Sequence, residues 1–143
     1  MKCFELTIKE NIAHVVLSRP EKRNSMIKEF WEELPKLILD IDNNVRARVI
    51  VITSSGPHFT SGMDTSLFGD LLLSDAASAT ERTAQDQSFF YNEVKRLQQT
   101  FNVLEKSRLP ILVAIQGGCI GGGLDFITAC DLRYATRDAF FTI

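Results

Sequence analysis

Seven consecutive positions, Gly117-Gly118-Cys119-Ile120-Gly121-Gly122-Gly123, carry five glycines. They follow an apolar run, Ile111-Leu112-Val113-Ala114-Ile115, that reads as a strand. Leu124–Cys130 then has the pattern of a short helix, with Asp125 near its start. Glycine at this density lets one backbone approach another, or a ligand, with no Cβ in the way. A helix beginning just after it adds free N–H groups and the positive end of a dipole. The stretch therefore offers backbone donors beside a carboxylate, and the rest of the chain must be arranged around that turn.

The segments on either side alternate between strand and helix. Phe4–Ile8 and Ile12–Leu17, with a break at Lys9-Glu10-Asn11, read as a hairpin. Arg19–Asn24 is a polar connection, and Asn24 or Ser25 is the expected cap of the following helix. Phe30, Leu34, Leu37, Ile38 and Ile41 fall on one face of that helix, and Pro35 inside it should introduce a kink. Val49–Thr53 is β-branched and almost wholly apolar, the composition of a strand covered on both faces. Ser54–Asp64 is a turn-rich loop, and Thr65–Ala84 is weakly patterned, expected to be mobile or partly helical. Phe90, Val94, Leu97, Phe101 and Leu104 mark an amphipathic helix over Gln87–Lys106, closed by Pro110. Leu132–Ala135 and Ala139–Ile143 read as two further strands with a turn at Thr136–Asp138. Strands joined by helical crossovers make the class α/β.

Two turns resemble each other. Val49–Asp64 runs from strand to Gly62-Met63-Asp64, and Ile111–Asp125 from strand to Gly123-Leu124-Asp125. A pair of such turns is able to aim two backbone N–H groups at one point, as an oxyanion hole requires. The final apolar strand would leave an uncovered edge. That leads to the expectation of a fragment, or of a partner over that edge.

Composition narrows the functions. A length of 143 residues and 45% hydrophobic content fit one globular unit or a large part of one. A formal charge of −2 argues against a nucleic-acid binder, and no apolar run is long enough to span a membrane. The first residues lack the apolar core of a signal peptide, so a cytoplasmic location is expected. Cys3, Cys119 and Cys130 lack CxxC spacing and read as buried thiols. The glycine run has no Gly-Lys-Ser/Thr ending and no GxGxxG register. Ser61 is not in a GxSxG elbow, and neither His14 nor His58 has a partner at metal-ligand spacing. Backbone donors and a carboxylate remain, a set suited to a thioester carbonyl whose oxygen gains charge while a proton moves nearby. The same residues also fit a plainer arrangement, with glycines for close packing and Asp125 as a helix cap.

Three segments tip that balance: Arg19-Pro20-Glu21-Lys22-Arg23-Asn24, Phe59-Thr60-Ser61-Gly62-Met63-Asp64, and Gly117-Gly118-Cys119-Ile120-Gly121-Gly122-Gly123-Leu124-Asp125. In this order they resemble the enoyl-CoA hydratase/isomerase (crotonase) family, over the whole chain and most closely its Δ3,5-Δ2,4-dienoyl-CoA isomerases. The resemblance implies a crotonase-like spiral of ββα units, with residues 1–143 its N-terminal part, truncated before the C-terminal helical trimerisation region. It implies an acyl-CoA double-bond isomerase of fatty-acid β-oxidation, with enoyl-CoA hydration and a non-catalytic acyl-CoA-binding or assembly module as alternatives. Asp125 stands where hydratases carry Glu, which makes hydration the lesser activity.

Met63 and Gly122 match the oxyanion-hole positions, and Asp125 the first carboxylate of the active site. Ser61, Gly62, Met63, Asp64 and Gly122 are the implied substrate-binding positions, Ser61 through backbone contact with the CoA adenine. Lys22 and Arg23 lie where basic residues meet CoA phosphates, a place equally suited to solvated surface. Coenzyme A arrives as part of the substrate, so neither a separate cofactor nor a metal is expected. A homo-oligomer, trimer or hexamer, is implied, with the family's further acidic residues falling beyond Ile143.

Overall fold

The chain opens on a tight antiparallel hairpin. A computed structural model describes residues 1–67 and 84–143. The expectation for Thr65–Ala84 falls mostly outside these residues; a helical turn is present at residues 65–67. Strands β1 (Phe4–Lys9) and β2 (Ile12–Leu17) are antiparallel. Glu10 and Asn11 between them both have positive φ, 51° and 63°, as a two-residue hairpin whose twist matches its strands demands.

Every later strand of the main sheet enters parallel. The order is β1-β2-β3-β4-β6, with β3 at Val49–Ser54, β4 at Ile111–Ile115 and β6 at Leu132–Ala135. Helix α1 (Lys28–Asn43) is the crossover from β2 to β3, and α2 (Ala84–Glu105) lies between β3 and β4. Register lines up the buried side chains in rows: Ala13 beside Ile50, Val15 beside Ile52, Ile50 beside Ile111 and Ile52 beside Val113. On α1 the expected face, Phe30, Leu34, Leu37, Ile38 and Ile41, is buried with them. Each such aliphatic side chain contributes about 1.5–3 kcal/mol through burial.

Four expectations need correction. Strand β3 is not covered on both faces: Ile50 and Ile52 are buried, but Val49, Val51 and Thr53 are only half-buried, because among the described residues no second layer closes over them. Asn24 and Ser25 do not cap α1, whose N-cap is Ile27 and makes no side-chain cap bond. The stripe on α2 is core only at Leu104; Val94, Leu97 and Phe101 are half-buried and Phe90 is exposed. The glycine run is not all turn, since Gly118–Ile120 forms a short strand, β5. It pairs in parallel with β7 (Phe140–Thr142) as a second, two-stranded sheet. The turn after β6 exists, with Ala139 N–H on Thr136 O at 3.1 Å, but β6 and β7 diverge into different sheets. Leu132, Tyr134, Phe140 and Phe141 are exposed.

Pro35 sits within α1 and has no N–H to give to the carbonyl four residues back, Trp31 O. The Thr100 hydroxyl lies 3.3 Å from that oxygen and 3.4 Å from Arg96 O, and Thr100 is only 2% exposed. A donor from α2 thus fills the gap that proline leaves in α1. Thr100→Val is expected to lower stability by about 1 kcal/mol. In a Pro35→Ala background, where residue 35 regains its N–H, the loss should shrink. Urea titration of the four proteins of this cycle measures the coupling, and equal losses in both backgrounds would refute it.

Candidate active site

Residues 58–64 run between two neighbours. On one side, Thr60 N–H donates to Gly118 O and Ile120 N–H to Thr60 O, both at 3.1 Å. On the other, Ser61 N–H donates to Arg23 O at 2.9 Å, and Met26 N–H to Gly62 O at 2.8 Å. Asp64 N–H returns a bond to Met26 O at 3.1 Å. The change of partner begins at Ser61 and is kept at Gly62, whose φ of +82° is costly for any residue with a Cβ. A Cβ there would also lie 2.6 Å from Ile120 O.

This geometry decides the direction of one N–H. The Gly62 carbonyl and the Met63 N–H belong to a single trans peptide and point in opposite directions. The carbonyl is held by Met26, so the Met63 N–H is turned away from Met26. The second N–H follows the same logic. Gly121 O accepts Leu124 N–H at 2.8 Å within the first turn of helix α3 (Gly122–Thr128), so the Gly122 N–H points back out of that helix start. The two turns are close together: a Cβ on Gly62 would stand 3.5 Å from Gly122 N. Gly123 permits the approach, because its Cβ would meet Thr60 Cγ2 at 2.5 Å and Cys119 Sγ at 3.0 Å.

Met63, Gly122 and Asp125 line one cavity of about 760 Å³. Helix α2 forms a wall of it, with Val94, Leu97 and Phe101 beside Gln98, Asn102 and Glu105. Trp31 closes an apolar end, its ring 5.3 Å from that of Phe101, which stacks on Phe126 at 5.9 Å. Asp125 is exposed on α3, next to Thr128 and Ala129 on the same wall. Among the described residues no cation forms an ion pair with it.

The other expected positions do not line this cavity. Asp64 Oδ2 accepts the Ser25 hydroxyl at 2.8 Å, and Oδ1 accepts the N–H and hydroxyl of Ser66 at 3.1 and 2.8 Å. These bonds, Ser25 first, hold its carboxyl below the usual range. Ser61 has committed its N–H to Arg23, so an adenine contact there would fall to its carbonyl. Lys22 and Arg23 are exposed. The two similar turns are not equivalent: Asp64 precedes a helical turn, whereas Asp125 lies inside α3.

The remaining candidates are structural. His58 Nδ1 accepts Gly118 N–H at 3.0 Å, and His14 Nε2 pairs with Thr53 Oγ1 at 2.8 Å. The three cysteines are free and buried, and burial pushes the thiols of Cys119 and Cys130 up to about 11 and about 12. Sequence reasoning missed Trp31, Gln98, Asn102 and Glu105 as cavity residues. Their only signal was a place on an amphipathic helix, which does not tell a core face from a cavity face.

The family model "Enoyl-CoA hydratase/isomerase" matches residues 7–143. The chain belongs to the enoyl-CoA hydratase/isomerase family. It is 40% identical over 134 residues to the mitochondrial Delta(3,5)-Delta(2,4)-dienoyl-CoA isomerase of Mus musculus, covering 94% of this chain and 40% of that protein. The peroxisomal enzyme of the same name from Arabidopsis thaliana is 34% identical, over 93% of this chain and 47% of that one. A probable enoyl-CoA hydratase from Mycobacterium leprae is 31% identical. Among solved structures, a probable enoyl-CoA hydratase from Mycobacterium smegmatis superposes with a TM-score of 0.80 at 26% identity, over 99% of this chain and 51% of that chain. The fold is therefore the crotonase fold, and the chain spans about half or less of the length of these relatives.

Two expected outcomes test the geometry. Gly62→Ala combines a strained φ with a backbone clash, and should cost about 3 kcal/mol or more in denaturant titration. Asp64 titrates lower in the folded chain than in the unfolded one, so its bonds stabilise fully above the ordinary Asp range. That contribution is lost as pH falls through the lowered folded value. The stability gap between wild type and Asp64→Asn should hold from neutrality to about pH 5 and narrow below about pH 4. A gap that is flat down to about pH 2 would refute this.

Proposed function

We propose that this chain carries the thioester-binding part of an acyl-CoA double-bond isomerase of the dienoyl-CoA isomerase type, acting in fatty-acid β-oxidation. The observation that carries the reading is the cavity on which Met63, Gly122 and Asp125 meet. The thioester oxygen of an acyl-CoA accepts from the Met63 and Gly122 N–H groups. Removal of a proton from C2 of a 3,5-dienoyl-CoA then places negative charge on that oxygen and along the diene. Return of a proton at C6 gives the 2,4-dienoyl product, with no net gain or loss of atoms. Asp125 is the group that takes or returns the proton. Glu105, from helix α2, is a second carboxylate lining the same cavity. The apolar surface of Trp31, Leu97 and Phe101 suits the acyl chain.

Ser61, Gly62 and Asp64 complete the substrate-binding loop in this reading, with coenzyme A arriving on the substrate and no further cofactor or metal required. Self-association into a trimer or hexamer accompanies it, supported by the exposed apolar side chains of β6 and β7. No described helix is long and apolar enough to cross a membrane. The cytoplasmic expectation is kept only as a default, because the similar isomerases bear mitochondrial and peroxisomal names.

The test is turnover of a 3,5-dienoyl-CoA followed by conjugated-diene absorbance, with light scattering on the same sample. Asp125→Asn should lower the rate by about 10²- to 10⁴-fold, as for loss of a positioned acid–base group. Glu105→Gln reports whether the second carboxylate moves protons. Water addition to a 2-enoyl-CoA exceeding isomerisation would favour hydratase action. Thioester binding without any turnover would favour a non-catalytic acyl-CoA-binding module.

A further inference from the structure

Ser25 was the natural choice for a helix cap, and the structure leaves it free of that task. Helix α1 begins at Lys28 behind Ile27. The Ser25 hydroxyl instead reaches across to Asp64 Oδ2 at 2.8 Å. Its own carbonyl is held by Arg19 Nη1 at 2.8 Å. The neighbouring residues grip the same loop. Arg23 O takes the Ser61 N–H, and the Asn24 amide, 3% exposed, donates to Ser55 O and His58 O at 2.9 and 3.1 Å. Thr60 Oγ1 donates to Asn24 O at 2.8 Å, and Met26 bonds both Gly62 O and Asp64 N. Four consecutive residues, 23–26, thus form a strap along residues 55–64.

Within the strap, Ser25 has a distinct place. Met26 holds the Gly62–Met63 peptide with main-chain groups, which no ordinary side-chain substitution removes. The residue after that peptide is Asp64, and its carboxylate is fastened by Ser25 on one oxygen and Ser66 on the other. We propose that Ser25 is a positioning residue that, by latching Asp64 onto the strap, holds in place the Met63 N–H whose direction the Met26 bonds set. This rests on the reading of Met63 as a thioester donor. Ser25 itself does not line the cavity, so its effect reaches a ligand only through the direction of that peptide.

Two readouts test it. The first needs no ligand: hydrogen exchange, in the free protein, of the ¹⁵N-labelled amide of residue 64, which donates to Met26 O at 3.1 Å and flanks the Met63 peptide. Ser25→Ala should speed that exchange about tenfold relative to wild type, the scale of one lost hydrogen bond to a charged group. Ser25→Thr, which keeps the hydroxyl, should restore it. The second readout is the absorbance of 2,4-hexadienoyl-CoA on binding. Polarisation of the thioester carbonyl shifts the diene band to the red, and the shift should shrink in Ser25→Ala and return in Ser25→Thr, with the thermal midpoint tracked for each. Asp64→Asn gives a second route if Ser25→Ala folds poorly, with an exchange rate between wild type and Ser25→Ala. Unchanged exchange of the residue-64 amide, relative to its intrinsic rate, in Ser25→Ala, or in Asp64→Asn if that is the protein that folds, would overturn the proposal. If wild type fails to bind the thioester at all, the functional reading fails, and the amide exchange alone decides the role of Ser25.

Discussion

Everything at the cavity depends on two backbone turns standing closer together than side chains allow. Residues 60–63 and 118–123 touch through Gly62 and Gly123, and a Cβ at either would lie within 2.6 Å of an atom of the other turn. That contact brings the Met63 and Gly122 peptides side by side. Two main-chain N–H groups are rigid donors because their planes are set by bonds already made on the far side. The Gly62 carbonyl is spent on Met26 and the Gly121 carbonyl on Leu124. The direction of each N–H follows from where its partner carbonyl is tied.

The layers behind the turns serve that approach. Phe59 and Phe126 are fully buried with rings 5.9 Å apart, pinning the loop of the first turn to the helix of the second. Phe30 meets Phe126 edge to face at 5.6 Å, which brings α1 into the same aromatic cluster. Main-chain polarity is handled across elements as well as within them. Thr100 answers the proline gap in α1, and Asp131 Oδ2 accepts the Ile111 N–H at 2.7 Å at the head of β4. Asp42, 8% exposed, accepts from Arg108 Nε at 3.0 Å and ties the end of α1 to the link after α2. The helices are therefore held in place by specific donors as well as by apolar contact, and the wall that α2 gives the cavity inherits that placement.

Much of this was legible in advance, and the misses have common causes. The hairpin, β3, β4 and the buried face of α1 were read from periodicity, because strand and helix repeats are local properties of the chain. Met63, Gly122 and Asp125 were picked out by motif, and they do share one cavity. The errors came wherever a side chain answers a distant partner. Asn24 and Ser25 have the chemistry of helix caps, yet their bonds go to residues 55–64, some 31 to 39 positions away. The apolar stripe of α2 predicts a buried face but not what lies opposite, and among the described residues what lies opposite is a cavity lined by Trp31, Met63, Gly122 and Asp125. The strand inside the glycine run was invisible because β5 exists only through its pairing with β7 and with Thr60.

The sequence by itself determined the class, the order of the main-sheet strands and the helices between them, and the residue types able to approach backbone to backbone. Those follow from local sterics: which φ a residue tolerates, which face a repeat makes apolar, and where no Cβ stands in the way. Only the tertiary structure decided that the Gly62–Met63 peptide turns its N–H away from Met26, that Glu105 shares a cavity with Asp125, and that Ser25 serves a loop. Each of these depends on which groups are already bonded across 20 to 60 residues of chain, and no local preference encodes that.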